Sequence, residues 1–261
     1  MTRRSRLRTA LGGVCALAVL CLPTGANARN WEEIRTTGEI SVCANPNALP
    51  YASDREGAPG FQIEIARAIA ARLGVRLRPA WIVPRMRAGL VDCDLMMDAI
   101  LVPGVQPPSL RLSVPYQSSG VTLAFGRGRE PVKSYAELKA GTRVGVLHNS
   151  LASLVVSRTP ASMRPFGFED DMLDALAKGE IDAGTLSAAA AGYFNLRNPD
   201  RALTIVHAED FEPELRWAVA VGMRRADDLL VDHVNKALAA LLADGNISAI
   251  YAGYGVAHRK P

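Results

Sequence analysis

The catalytic signatures that mark common enzyme classes are missing from these 261 residues. There is no G-x-S-x-G elbow, no P-loop, no G-x-G-x-x-G after a strand and no H-E-x-x-H. Ser118, Ser119 and Ser187 lack a neighbouring histidine that would activate them as nucleophiles. An enzyme is therefore not expected. His148, His207, His233 and His258 show no ligand spacing with any cysteine, so neither a metal nor another cofactor is expected. Beyond residue 28 no apolar run approaches the roughly 18 residues of a membrane-spanning helix. An excess of one charge is lacking as well. Lys and Arg number 30 against 26 Asp and Glu, but Arg3, Arg4, Arg6 and Arg8 lie in the first 28 residues, which hold no acid. Residues 29–261 balance at 26 against 26, which removes the support for a nucleic-acid or anionic-membrane partner.

What is present begins with a leader. Those arginines form a basic start, residues 10–22 a short apolar core, and Ala26-Asn27-Ala28 an A-x-A cleavage site. Residues 1–28 read as a signal peptide and the mature chain as periplasmic. Cysteine is scarce: Cys15 and Cys21 leave with the leader, and Cys43 and Cys93 remain. An even pair in an exported chain reads as a disulfide. The bridge would close a loop of about 50 residues, worth roughly 4 kcal/mol in the chain-entropy model.

Along the mature chain, residues 31–38 read as a short amphipathic start and 40–43 as a first strand. The prolines and asparagines of 45–51 make a loop at its carboxyl end. Phe61 to Leu73 is the clearest helix, with Ile65, Ile69 and Leu73 on one stripe and Gly74 as its stop. Strands are expected at 75–81 and 94–101, with a helical segment at 84–91 between them. The second of these strands breaks at Pro103-Gly104 and carries Asp98 at its exit. The order β-α-β-α-β implies a parallel sheet. Residues 110–116 read as a proline-interrupted connection, 121–125 as a strand, and Gly126-Arg127-Gly128-Arg129 as a linker. A second, similar unit follows: a capping box at Ser134 and Glu137, strands at 143–147, 163–166 and 181–185, and helices at 151–157, 170–178 and 188–196. Strands at 203–206 and 217–221 and a long helix over 229–242, stopped by Gly245, complete the chain.

Two βαβ units and a returning strand suggest an α/β fold of two lobes around a cleft. The first lobe takes 29–125 and 222–261, the second 126–221, with crossings near Gly126 and Val221. In such sheets ligands gather at the carboxyl ends of strands. The cleft candidates are Asn45, Tyr51, Asp98 with its neighbour Ala99, and Tyr116 from the first lobe. The second lobe offers Ser187 and the pair Asn149 and Ser150, which open a helix whose free N–H groups suit an anion.

Gly60-Phe61-Gln62-Ile63-Glu64-Ile65-Ala66, with Leu73-Gly74, resembles the G-F-D-x-D/E signature of periplasmic solute-binding proteins of family 3, the polar amino-acid type. Pro115-Tyr116, Val144-Gly145-Val146 and Gly179-Glu180-Ile181-Asp182-Ala183 follow in that family's order. The resemblance implies a two-lobed clamp that serves an ABC permease. Val42-Cys43-Ala44-Asn45-Pro46-Asn47, Ala191-Gly192-Tyr193-Phe194 and Tyr254-Gly255-Val256 look most like a subgroup associated with quinoprotein (methanol-type) alcohol dehydrogenases. That subgroup implies an accessory of the dehydrogenase, which is the leading expectation. An ABC receptor for a small polar or anionic solute is the alternative. The family's amino-acid binders carry an Arg near Gln106, where this chain has only Arg111 nearby, and an acid where this chain has Ser187.

Overall fold

The computed structural model describes residues 29–82, 93–101 and 109–261. The leader, the helical segment at 84–91 and the Pro103-Gly104 turn lie outside the described residues. Helix α1 (Trp31–Thr37) starts from Asn30, whose side chain accepts from the Glu33 N–H while Glu33 accepts from the Asn30 N–H. Strand β1 (Glu39–Ala44) follows, then β2 (Asn47–Ala48), β3 (Ala52–Ser53), α2 (Phe61–Leu73), β4 (Arg76–Trp81) and β5 (Leu95–Leu101). Next come β6 (Leu110–Leu112), β7 (Gln117–Phe125), β8 (Arg143–Leu147), α3 (Leu151–Ser157), β9 (Ser162–Phe166) and α4 (Glu169–Lys178). The chain finishes with β10 (Ala183–Ser187), α5 (Ala188–Arg197), β11 (Thr204–Val206), β12 (Arg216–Arg224), α6 (Asp228–Ala243) and α7 (Asn246–Gly253).

The parallel unit expected at the start is there: β1 lies parallel between β4 and β5. The apolar stripe of α2 packs with β1, α6 and α7 into one core that holds Ile34, Ile65, Ile69, Leu238 and Tyr251. In the second unit β8 lies parallel to β9 and β10, and separate clusters cover its two faces. Two long strands join the units. Residues 117–120 of β7 pair with 216–219 of β12, whereas 121–125 pair with β10. Beyond that contact β12 runs on against β5 and β6. The strand path β4-β1-β5-β12-β7-β10-β8-β9 is therefore continuous through both lobes. The sequence puts the crossings near Gly126 and Val221; β7 changes partners between Gly120 and Val121, and β12 leaves β7 after Val219. Cys43 and Cys93 are bonded, Cα to Cα 5.5 Å, and tie the end of β1 to the entry of β5.

Several local expectations need correction. Asp98 lies in the middle of β5 rather than at its exit, since the strand runs to Leu101 as expected and pairs there with β12. Residues 110–116 are not only a connection, since β6 finds a partner in β12. The capping box at Ser134 does not form: Glu137 accepts from the Lys133 N–H at 3.0 Å, and Tyr135–Glu137 is a 3-10 turn. β10 lies two residues later than expected, and just before it the Asp182 carboxylate accepts from the Arg143 N–H and guanidinium. Gly245 does not merely stop α6 but caps the start of α7 at φ 75°. The loop at 45–51 contributes to the small β2–β3 pair.

Candidate functional site

A cleft of about 520 Å³ opens where β5, β7 and β12 meet at the middle of the sheet. It is walled by the end of β1 (Cys43, Ala44, Asn45), the loop at Tyr51, the start of α2 (Phe61, Gln62) and β5 (Met96, Asp98, Ile100). Tyr116, Gln117 and Ser119 at β7, Trp217 and Val219 of β12, and Ser187 and Ala189 at the β10–α5 junction close it. Both lobes thus contribute, at the point where strand partners change, as open α/β sheets favour.

Five of the eight residues read from sequence border this cleft: Asn45, Tyr51, Asp98, Tyr116 and Ser187. Three do not. Ala99 follows Asp98 in a strand, so its side chain takes the other face, toward Gly222. Asn149 is exposed in its turn at φ 54°. The Ser150 hydroxyl is spent on capping α3, accepting from the Ser153 N–H at 3.1 Å and donating to the Leu147 carbonyl at 2.8 Å.

The aromatic wall is held from behind. Tyr51 packs on Phe61 at 5.0 Å between ring centroids, and Phe61 on Tyr251 at 4.6 Å. Tyr116 is buried and donates its hydroxyl to the Met97 carbonyl. Burial pushes its ionisation well above the usual tyrosine range, so it serves as a neutral donor. Tyr251 likewise donates to the side-chain oxygen of Gln117 and fixes the amide that faces the cleft.

No sequence signal points to Glu169. It stands in the first turn of α4 yet reaches Ser187, accepting from its N–H at 2.6 Å and from its hydroxyl at 3.1 Å. Ser187 in turn caps α5 by accepting from the Ala190 N–H. Burial raises the Glu169 pKa, and the Ser187 hydrogen bonds only partly offset it. The two residues are 18 apart in sequence, and no spacing rule joins them. Trp217 reads in sequence only as strand, and Gln117 falls between the connection at 110–116 and the strand at 121–125. Their strand alternation offers a signal, but only the cleft shows which face matters.

Among the described residues, the cleft wall contains no Lys, Arg or His. Arg111 is turned elsewhere, donating to Asp228 at 2.6 Å. No group of three or more His, Cys, Asp or Glu that could hold a metal occurs among the described residues. No helix among them is long and apolar enough to cross a membrane.

Comparison with known proteins agrees with this geometry. The family of bacterial extracellular solute-binding proteins, family 3, matches residues 40–257. A probable histidine-binding protein of Neisseria gonorrhoeae is 25% identical over 224 residues, 82% of this chain and 81% of that one. The L-cystine-binding protein TcyJ of Escherichia coli K12 is 25% identical over 255 residues, 93% of each. The fold is that of the L-cystine solute receptor of Neisseria gonorrhoeae in its unliganded open conformation, at TM-score 0.71 and 19% identity over 88% of this chain and 98% of that one. This chain, with its two α/β lobes and the cleft between them, belongs to the bacterial extracellular solute-binding proteins of family 3.

Proposed function

We propose that this protein is the periplasmic receptor of an ABC uptake system for a small amine-bearing solute of the amino-acid class. The observation that carries this reading is the make-up of the cleft wall. Aromatic faces at Tyr51, Phe61 and Trp217 and amides at Asn45, Gln62 and Gln117 surround it, and the Glu169 carboxylate stands one hydrogen bond behind Ser187. The Asp98 carboxylate in the wall, the Glu169 carboxylate behind Ser187, and a described wall without Lys, Arg or His favour an ammonium group over a carboxylate. The relatives' names, histidine-binding and L-cystine-binding, point the same way. A transport receptor is a better fit than an accessory of a quinoprotein dehydrogenase. The accessory reading rests on Val42-Cys43-Ala44-Asn45-Pro46-Asn47 with the Cys43 and Cys93 pair, on Ala191-Gly192-Tyr193-Phe194 and on Tyr254-Gly255-Val256. These segments have structural roles of their own: Cys43 and Cys93 form the disulfide, Gly192 packs against Gly255, and Tyr193 lies near Tyr254.

Thermal unfolding of residues 29–261 against amino acids, amines, small organic acids and alcohols tests the reading. A solute at about 1,000 times its Kd adds roughly 4 kcal/mol, hence about 8–16 °C at this size. The shift is expected with amine-bearing solutes and not with acids or alcohols that lack an amine. Asp98→Asn, which removes the carboxylate that lines the cleft, should weaken that binding roughly 10- to 100-fold, the worth of a hydrogen bond to a charged group. A flat panel, or a shift confined to acids or alcohols, overturns the proposal; a flat one makes a pull-down with the dehydrogenase the next step.

A further inference from the structure

The chain beyond α7 is tied to both lobes. On the first-lobe side, Tyr254 donates to Glu64 at 2.6 Å and accepts from the Gly60 N–H at 2.9 Å. His258 stacks on Tyr251 at 5.1 Å with the rings nearly parallel. Its Nε2 lies 2.8 Å from the Tyr116 carbonyl and its Nδ1 2.8 Å from the Ser248 hydroxyl. A carbonyl only accepts, so Nε2 carries the hydrogen and Nδ1 accepts from Ser248 in the neutral ring.

The next residue grips the other lobe. Arg259 donates to Glu209 at 2.9 Å and to both oxygens of Asp210 at 2.7 and 2.9 Å, while its carbonyl accepts from the Ser118 N–H at 2.8 Å. Glu209 is 1% exposed, and its second oxygen has no hydrogen-bond partner among the described residues. Among those residues, its ion-pair partners are His207 and Arg259. The segment that carries Glu209 belongs to the second lobe, since its neighbours Ala208 and Leu215 sit in that lobe's core.

We propose that residues 254–259 form a third connection between the lobes, beside β7 and β12, and that His258 and Arg259 are positioning residues of the cleft. They hold 116–118, of which Tyr116 and Gln117 face the cleft, and at the same time fix the second lobe through Glu209 and Asp210. Two paired strands alone leave a hinge free to bend. A strap anchored on both sides selects one lobe angle. This holds whatever solute the cleft takes.

The test measures the lobe angle without ligand. Spin labels at Ala71→Cys and Asp174→Cys, exposed positions of α2 and α4, report the distance between lobes by pulsed electron resonance. Arg259→Ala alone would strand the buried Glu209 charge and mix folding with hinge effects. The pair Arg259→Met with Glu209→Gln removes both partners of the tie. It is expected to unfold cooperatively yet to give a broadened distance distribution with a shifted mean. Arg259→Lys, which keeps the charge beside Glu209, should restore most of the original distribution. A chain ending at Ala257 with Glu209→Gln should repeat the broadening and guards against an effect of the methionine side chain. Distributions unchanged in mean and width in both tie-free chains overturn the proposal.

Discussion

Asp94 shows how much a single side chain can organise. It is 2% exposed and accepts from the Ser41 N–H at 2.7 Å, the Ser41 hydroxyl at 2.8 Å and the Arg29 guanidinium at 2.8 Å. Burial alone would push its pKa up, but the Arg29 and Ser41 hydrogen bonds outweigh it and hold the carboxyl below the usual range. A carboxyl depressed in the folded state stabilises above its unfolded pKa of about 3.9, and that stability is lost as pH falls through the folded value. Asp182, brought to about 2 by Arg143, acts in the same direction. Asp94→Ala should therefore cost about 3 kcal/mol in urea unfolding at pH 7, near the low end for a broken buried pair because Arg29 can rehydrate. The difference from the parent should shrink below about pH 4, where the unfolded carboxyl takes up its proton. A cost that stays the same from neutral pH down through that range would show that the charge is not its source.

At the scale of elements, α5 and the segment after α7 meet backbone to backbone. A Cβ at Gly192 would stand 2.4 Å from the Gly255 carbonyl oxygen, and one at Gly255 2.6 Å from that of Gly192. Backbone meets backbone here, so no side-chain rotation can relieve an added methyl. Gly255 also has φ 70°, where a side chain is strained. Gly192→Ala should cost about 1–3 kcal/mol, the range for overpacking, and lower the thermal midpoint without altering the disulfide. A midpoint equal to the parent's would mean that the helix can slide away from the tail at no cost.

At the scale of the molecule, the continuous strand path makes the lobes mechanically dependent. The pairing of β7 with β12 belongs to both, and the 254–259 segment lies against it through the Tyr116 and Ser118 backbone. Unfolding should then be one transition. Tryptophan fluorescence, which reports Trp31 and Trp81 in the first lobe and Trp217 at the crossing, should coincide with far-ultraviolet circular dichroism in urea. Separate midpoints would mean that each lobe unfolds alone.

Local pattern was enough for most of the elements and for the α/β class. The α2 stripe, the left-handed glycines Gly38, Gly74 and Gly179, and the pair Cys43 and Cys93 are local or compositional signals, and the structure follows them. Local pattern also identified loops that reach the cleft at Asn45, Tyr51, Tyr116 and Ser187. Which of those loops converge depends on the packing of the whole chain. Asn149 and Ser150 have good local chemistry, but capping consumes the hydroxyl and the turn faces solvent. Ala99 fell to the wrong face because side chains alternate along a strand and the sequence did not say which face would be inside. Glu169 and Arg259 were invisible in sequence for the opposite reason. Their partners, Ser187 and Glu209, lie 18 and 50 residues away, and only folding brings such groups within hydrogen-bond distance.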